Sequence, residues 1–233
     1  MRFQDKVVIV TGAGSGIGAA TANRFAKEGA LLCLADINAA ALAVQAKAID
    51  PSGKRTLLRT VDVSQQQQVE DFVAASVAQF GRLDVLVNNA GMGVFGPVTT
   101  LSTEDWRKVF SIVVDGVFFG CKAAVPHLIK SGGNVVNLGS VSGLFGDYGF
   151  AGYNAAKGAV VNLTRTMALD FSKDGVRVNA VCPGLVATPL SAACATTRRS
   201  GDSTRTASHW RAPHSPTRSP PPSPSSPPRM PPT

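Results

Sequence analysis

The 233-residue sequence is poor in charge and in aromatic rings: 16% of its residues are Asp, Glu, Lys or Arg, and 6% are Phe, Trp or Tyr. No uninterrupted apolar run approaches the roughly 18 residues that a membrane-spanning helix needs, so no span is expected. The N-terminal pattern is not that of a secretory leader. Val7-Val8-Ile9-Val10 is too short an apolar core, and a glycine-rich turn stands where a cleavage site would be. The four cysteines, Cys33, Cys121, Cys182 and Cys194, show neither CxxC pairing nor zinc-ligand spacing, and three of them lie in apolar segments. Buried, reduced thiols in a cytoplasmic protein are expected, with no metal site.

Charge is also unevenly placed. The 43 residues after Leu190 hold 10 of the 15 prolines and six Arg, with no Lys and a single acid. Residues 1–190 carry 17 basic and 14 acidic side chains, so most of the net charge of +8 belongs to the tail. The bulk charge therefore gives no reason to expect a nucleic-acid partner. The expected organisation is one domain over residues 1–190, followed by a Pro/Ser/Arg-rich tail over 191–233 with no credible helix or strand.

Within the first 190 residues, short β-branched runs alternate with longer helical patterns. Strands are expected at Lys6–Val10, Leu31–Ala35, Thr56–Val61, Leu83–Val87, Asn134–Leu138 and Val176–Val181. They are continuously apolar, as strands covered on both faces are. Helices are expected near Gly16–Glu28, Ala39–Ala48, Gln65–Phe80, Thr103–Lys130 and Phe150–Lys173. Ser102 and the acids Glu104 and Asp105 form a helix-opening signal. The alternation implies right-handed crossovers and an α/β fold, a Rossmann-like doubly wound parallel sheet with helices on both faces.

Thr11-Gly12-Ala13-Gly14-Ser15-Gly16-Ile17-Gly18 joins the first strand to the first helix. Glycines there let the backbone approach a pyrophosphate, and the helix N-terminus offers free N–H donors and a positive dipole. Asp36 ends the second strand, where a carboxylate can accept both hydroxyls of an adenosine ribose and would repel a 2′-phosphate. Its neighbours Leu34, Ala35, Ile37 and Asn38 include no cation, which favours NAD over NADP.

With these features the sequence resembles the short-chain dehydrogenase/reductase family over about residues 4–190. The octet at 11–18 is similar to that family's cofactor turn, which gives Gly12, Ser15, Gly16, Ile17 and Gly18 a cofactor-binding role beside Asp36. Asp62-Val63 resembles its adenine contact. Asn88-Asn89-Ala90-Gly91 resembles its sheet-stabilising element, with Asn89, Ala90 and Gly91 along the cofactor. Pro183-Gly184-Leu185-Val186-Ala187-Thr188 resembles the loop over the nicotinamide, through Pro183, Gly184, Val186 and Thr188. Ser140 and the Tyr153/Lys157 pair resemble the catalytic set, 13 residues separating the serine from the tyrosine. The resemblance implies hydride transfer between NAD(H) and a small alcohol or ketone. Tyr153 would be the general acid/base and Ser140 would hold the substrate oxygen. Lys157 would lower the phenol's pKa and hold the nicotinamide ribose. A homo-oligomer is usual for the family, although the end of this sequence puts it in doubt.

Two departures from the family pattern follow. Counting back from Gly116 and Phe118 puts Val113 where the family carries an asparagine that helps bind a water linking the lysine to solvent. Valine there implies a broken proton relay, and the alternative reading is a catalytically impaired NAD-binding remnant. Beyond Leu190 the family's substrate-loop helix, further helix and last strand are missing. The tail reads either as an appendage with PxxP spacings such as Pro221–Pro224, or as a frameshifted ending. Read one base out of register with permitted codons, Ser208 through Thr233 gives PLARAPQPDEIAAAVAFLASPDAAY, which resembles the family's penultimate helix. The substrate is expected to be set by Val141–Phe150, by the segment around Met92–Val98 and by the loop after Thr188.

Overall fold

The computed structural model describes residues 1–192. Its six strands are β1 (Val7–Thr11), β2 (Leu31–Asp36), β3 (Thr56–Thr60), β4 (Val85–Asn88), β5 (Asn134–Leu138) and β6 (Arg177–Val181). The helices are α1 (Gly16–Lys27), α2 (Ala39–Ile49), α3 (Gln66–Phe80), α4 (Thr103–Phe110), α5 (Gly116–Ser131), α6 (Val141–Phe145) and α7 (Ala151–Phe171). All strands are parallel, in the order β3-β2-β1-β4-β5-β6. The order reverses between β1 and β4, the point at which such sheets open a crevice at their carboxyl edge.

The inner strands are buried on both faces, whereas β3 and β6, expected to be covered in the same way, are partly to largely exposed because they stand at the two ends of the strand order. Every residue of β1 and β4 is buried, because helices cover each side. One core cluster joins Ile9, Phe72, Leu86, Val113, Leu128 and Val160; the other, on the opposite face, joins Val8, Val10, Leu34, Leu42 and Val87. At the amino edge of the sheet Asp84 ties β1 to β4. Its carboxylate accepts from the Val7 amide at 3.0 Å, from Lys6 Nζ at 3.1 Å and from Arg82 through both oxygens. Burial opposes ionisation of Asp84, but the Arg82 guanidinium and the other donors outweigh it and hold the carboxyl below its usual range.

Each expected strand and helix is present, with ends displaced by a residue or two. Three features differ. A single turn of π-helix, Ser111–Asp115, interrupts the long helical stretch between α4 and α5, which the periodicity presents as one helix. Helix α6 is absent from the sequence reading, because its five residues are too few to set a period. The stretch Thr103–Ser131 is long and apolar enough to span a membrane, with a mean hydropathy of 1.6, contrary to the expectation drawn from uninterrupted runs. Its polar residues are isolated and so dilute the average little. Val109, Val113, Val117, Ala124 and Leu128 of this stretch are buried in the core. Ser102 caps α4 as anticipated, accepting from the Asp105 amide at 3.0 Å. Cys33 and Cys121 are buried, and burial pushes their thiols up to about 11 and about 12; Cys182 is half-buried. Cys194, the PxxP segment and the frameshift reading lie outside the described residues.

Candidate active site

The carboxyl ends of β1, β2, β4, β5 and β6 surround a cleft of ≈ 770 Å³. That volume is within the usual range for a small-ligand site. The cofactor turn forms its floor. Gly12 and Gly16 have φ of +64° and +53°, the left-handed region in which a side chain is strained. Ser15 stands at the N-cap of α1 but its side chain makes no capping bond, which leaves the first amides of that helix to the cleft. The turn is held from below by Asn89, whose Nδ2 donates to Thr11 O at 2.9 Å and Gly12 O at 3.1 Å. Thr11 Oγ1 in turn accepts from the Asn89 and Ala90 amides, both at 3.1 Å.

At the β2 end, Asp36 accepts from the Gly14 amide at 2.8 Å and the Asn38 amide at 2.9 Å, one bond to each carboxylate oxygen. Each oxygen keeps a lone pair for a ligand hydroxyl. Asp62 is fixed by Ser64, and Val63 lies against Gly116. Opposite them, Ser140 caps α6, its Oγ accepting from the Ser142 amide at 3.1 Å, and is 7% exposed. Tyr153 and Lys157 stand one turn apart on α7, with Lys157 Nζ 5.8 Å from the Tyr153 ring centroid. Lys157 is 5% exposed and donates to Leu138 O at 2.5 Å. Burial pushes its ammonium down to about 8, opposed by a weaker electrostatic interaction with Cys182.

The structure brings the expected site residues together with one exception. Gly12, Ser15, Gly16, Ile17, Asp36, Asp62 and Val63 line the cleft, as do Asn89, Ala90, Gly91, Ser140, Tyr153 and Lys157. Pro183, Gly184, Val186 and Thr188 close it from the β6 side. Gly18 does not line it. A Cβ there would collide with Gly12 O and Asn89 Nδ2, so this glycine lets α1 pack against the turn. Met92, Val141, Ser142, Asp147 and Phe150 add lining from two of the three segments expected to set the substrate, and Pro189, Leu190 and Ser191 add it from the third. Ile112, in the π-turn, was not anticipated, since nothing in an apolar helical run marks which residue reaches a cleft. No cluster of His, Cys, Asp or Glu among the described residues is arranged to hold a metal.

Residues 6–199 match the model of the short chain dehydrogenase family. The chain belongs to this family. It is 51% identical over 191 residues to meso-2,3-butanediol dehydrogenase of Serratia marcescens, an alignment covering 82% of this chain and 75% of that protein. The crystal structure of levodione reductase superposes with a TM-score of 0.82 at 39% identity, covering 86% of this chain and 79% of that one. That of NAD+-bound xylitol dehydrogenase gives 0.76 at 39% identity, over 79% and 72% of the two chains. As a member of a family of dehydrogenases and reductases, the chain is an oxidoreductase.

The burial of Lys157 has a measurable consequence. Its folded pKa of about 8 lies below the ordinary 10.5, so between those values the folded state has released a proton that the unfolded state keeps. Stability relative to Lys157→Met is therefore lowest below about pH 8 and rises by about 3 kcal/mol as the pH approaches 10.5. Urea unfolding of both proteins across that range measures the rise. A pH-independent difference would mean that the ammonium is solvated.

Proposed function

We propose that this chain is an NAD-dependent dehydrogenase/reductase that interconverts a small secondary alcohol and its ketone, with Tyr153 as the general acid/base. The observation that carries the reading is the convergence of Ser140, Tyr153 and Lys157 on the same cleft as the cofactor turn and Asp36.

The cradle suits a dinucleotide. Side chains are absent at Gly12 and Gly16, the first amides of α1 have no side-chain cap, and Asp36 stands where ribose hydroxyls need an acceptor. Its carboxylate disfavours the extra phosphate of NADP, and Ile37 and Asn38 beside it bring no compensating cation. The NAD-bound relative xylitol dehydrogenase agrees with this choice. When bound, NAD supplies the hydride acceptor in oxidation, and NADH the donor in reduction. Lys157 would hold the ribose on the nicotinamide side.

The protein's own residues then manage a proton and a developing negative charge. Below about pH 8 Lys157 keeps its proton, and its ammonium favours the phenolate of Tyr153. The phenolate oxygen takes the proton of a substrate hydroxyl, and the phenol returns one to a carbonyl oxygen in the reverse direction. Ser140 Oγ–H donates to the same substrate oxygen and stabilises its charge. The small-alcohol class is supported by the resemblance to meso-2,3-butanediol dehydrogenase. A cytoplasmic setting accords with the unpaired thiols of Cys33, Cys121 and Cys182.

A second reading, slowed turnover, is favoured by Val113. It is fully buried in the π-turn, and both its side chain and Lys157 Nζ lie beside Gly91. An isopropyl group there offers no hydrogen bond to a water that would connect Lys157 with solvent, so reprotonation is expected to limit the rate.

Both readings are tested by following NADH absorbance over a panel of secondary alcohols and vicinal diols. Tyr153→Phe is expected to lower kcat by about a thousandfold while NAD affinity holds within about twofold. Retained turnover in that variant would overturn the assignment. Val113→Asn is expected to raise kcat severalfold, and an unchanged kcat would show that the proton leaves by another route.

A further inference from the structure

Beneath the cleft a line of buried polar side chains crosses four elements and takes no part in the chemistry above. Asn88 ends β4, and Asn137 is its register partner on β5, so the two side chains stand together on one face of the sheet. Asn88 Nδ2 donates to Asn137 Oδ1 at 2.9 Å and to Cys121 Sγ of α5 at 3.2 Å. Asn137 Nδ2 donates to Thr164 Oγ1 of α7 at 2.9 Å, and that hydroxyl donates to Val160 O at 2.7 Å. Asn137 is 0% exposed, Asn88 3% and Thr164 5%. Helix α5 closes over the line only because residue 120 is glycine, since a Cβ there would sit 2.5 Å from Asn88 Oδ1.

Polar groups this deep are a poor route to stability. Each must be desolvated, and leaving one unpaired costs about 1–3 kcal/mol, whereas apolar side chains of the same shape would pack at no such cost. What the line supplies is direction. Thr164 follows Lys157 by seven residues, two helical turns, and so lies on the same face of α7 about 10 Å along its axis. Lys157 bonds to Leu138 O and Thr164 to the side chain of Asn137, which are consecutive residues of β5. The helix is thereby pinned to one strand at two points. Apolar contact between Val160 or Val161 and the sheet resists separation but not rotation, whereas two directional bonds fix both rotation and slide. The residue after Asn88 points the other way along the strand, and it is Asn89, which holds the glycine turn. One dipeptide therefore ties the cofactor floor to the anchor of the Tyr153 helix.

We propose that Asn137 and Thr164 are positioning residues: their hydrogen bond sets the rotation and register of α7, and so the placement of Tyr153 and Lys157 against Ser140. The proposal rests on the acid/base reading of Tyr153, but its test does not require turnover. The sequence has two tyrosines, so in a Tyr148→Phe background the ultraviolet titration of tyrosinate reports Tyr153 alone. In that background Thr164→Val, which keeps the shape and loses the hydroxyl, is expected to move the titration to higher pH as Lys157 shifts away. It should also lower kcat about tenfold without changing NAD affinity. Thr164→Ser, which restores the hydroxyl, is expected to recover both. If Thr164→Val does not fold, Thr164→Ala gives the same two readings. A variant that loses only thermal stability, with titration and kcat unmoved, would overturn the proposal. A shifted titration in a chain whose parent has no turnover would instead contradict the enzymatic reading and leave the positioning role standing.

Discussion

A parallel sheet buried on both faces has only its edges for polar chemistry. Here β1 and β4 are covered throughout and, apart from Thr11 and Asn88 at their carboxyl ends, apolar, so the groups that can meet a ligand are gathered where strands end and helices begin. The glycine turn leaves β1, Asp36 closes β2, the segment Asn89–Gly91 leaves β4, Ser140 follows β5 and Pro183 follows β6. The bonds from Asn89 and Ala90 to Thr11 Oγ1 join the two strands on either side of the order reversal. They keep the crevice between those strands at a fixed width, and the site is built around it.

Burial also sets the electrostatics of the site. Lys157 Nζ lies 5.8 Å from the Tyr153 ring in the cleft, and burial depresses its pKa to about 8 while Leu138 O takes one of its hydrogens. Such a lysine is destabilising in the resting fold at neutral pH, and it is tolerated because an ammonium out of water acts strongly on its neighbours.

Much of this was legible in the sequence, for identifiable reasons. The inner strands were readable because two-sided burial imposes apolar runs, and the glycine turn because only glycine tolerates its backbone angles. Tyr153 and Lys157 could be paired because a four-residue spacing has one meaning on a helix. The packing role of Gly18 against Gly12 and Asn89 was not legible, since a glycine needed for helix packing looks the same in sequence as one needed for a ligand. The π-turn at Ser111–Asp115 and the Ile112 contact were hidden because one widened turn leaves the hydrophobic period intact. The bonds from Asn88 to Asn137 and on to Thr164 depend on strand register and helix rotation, which no local pattern specifies. The chain also spans about three quarters of the Serratia relative's length.

The most direct test of a dinucleotide cleft fitted to NAD is equilibrium binding, free of any assumption about substrate. Calorimetric titration of the full chain with NAD+ and with NADP+ should show one site per chain, with NAD+ bound at least about tenfold more tightly because Asp36 repels the additional phosphate. Equal or tighter binding of NADP+, or no binding of either dinucleotide, would contradict it.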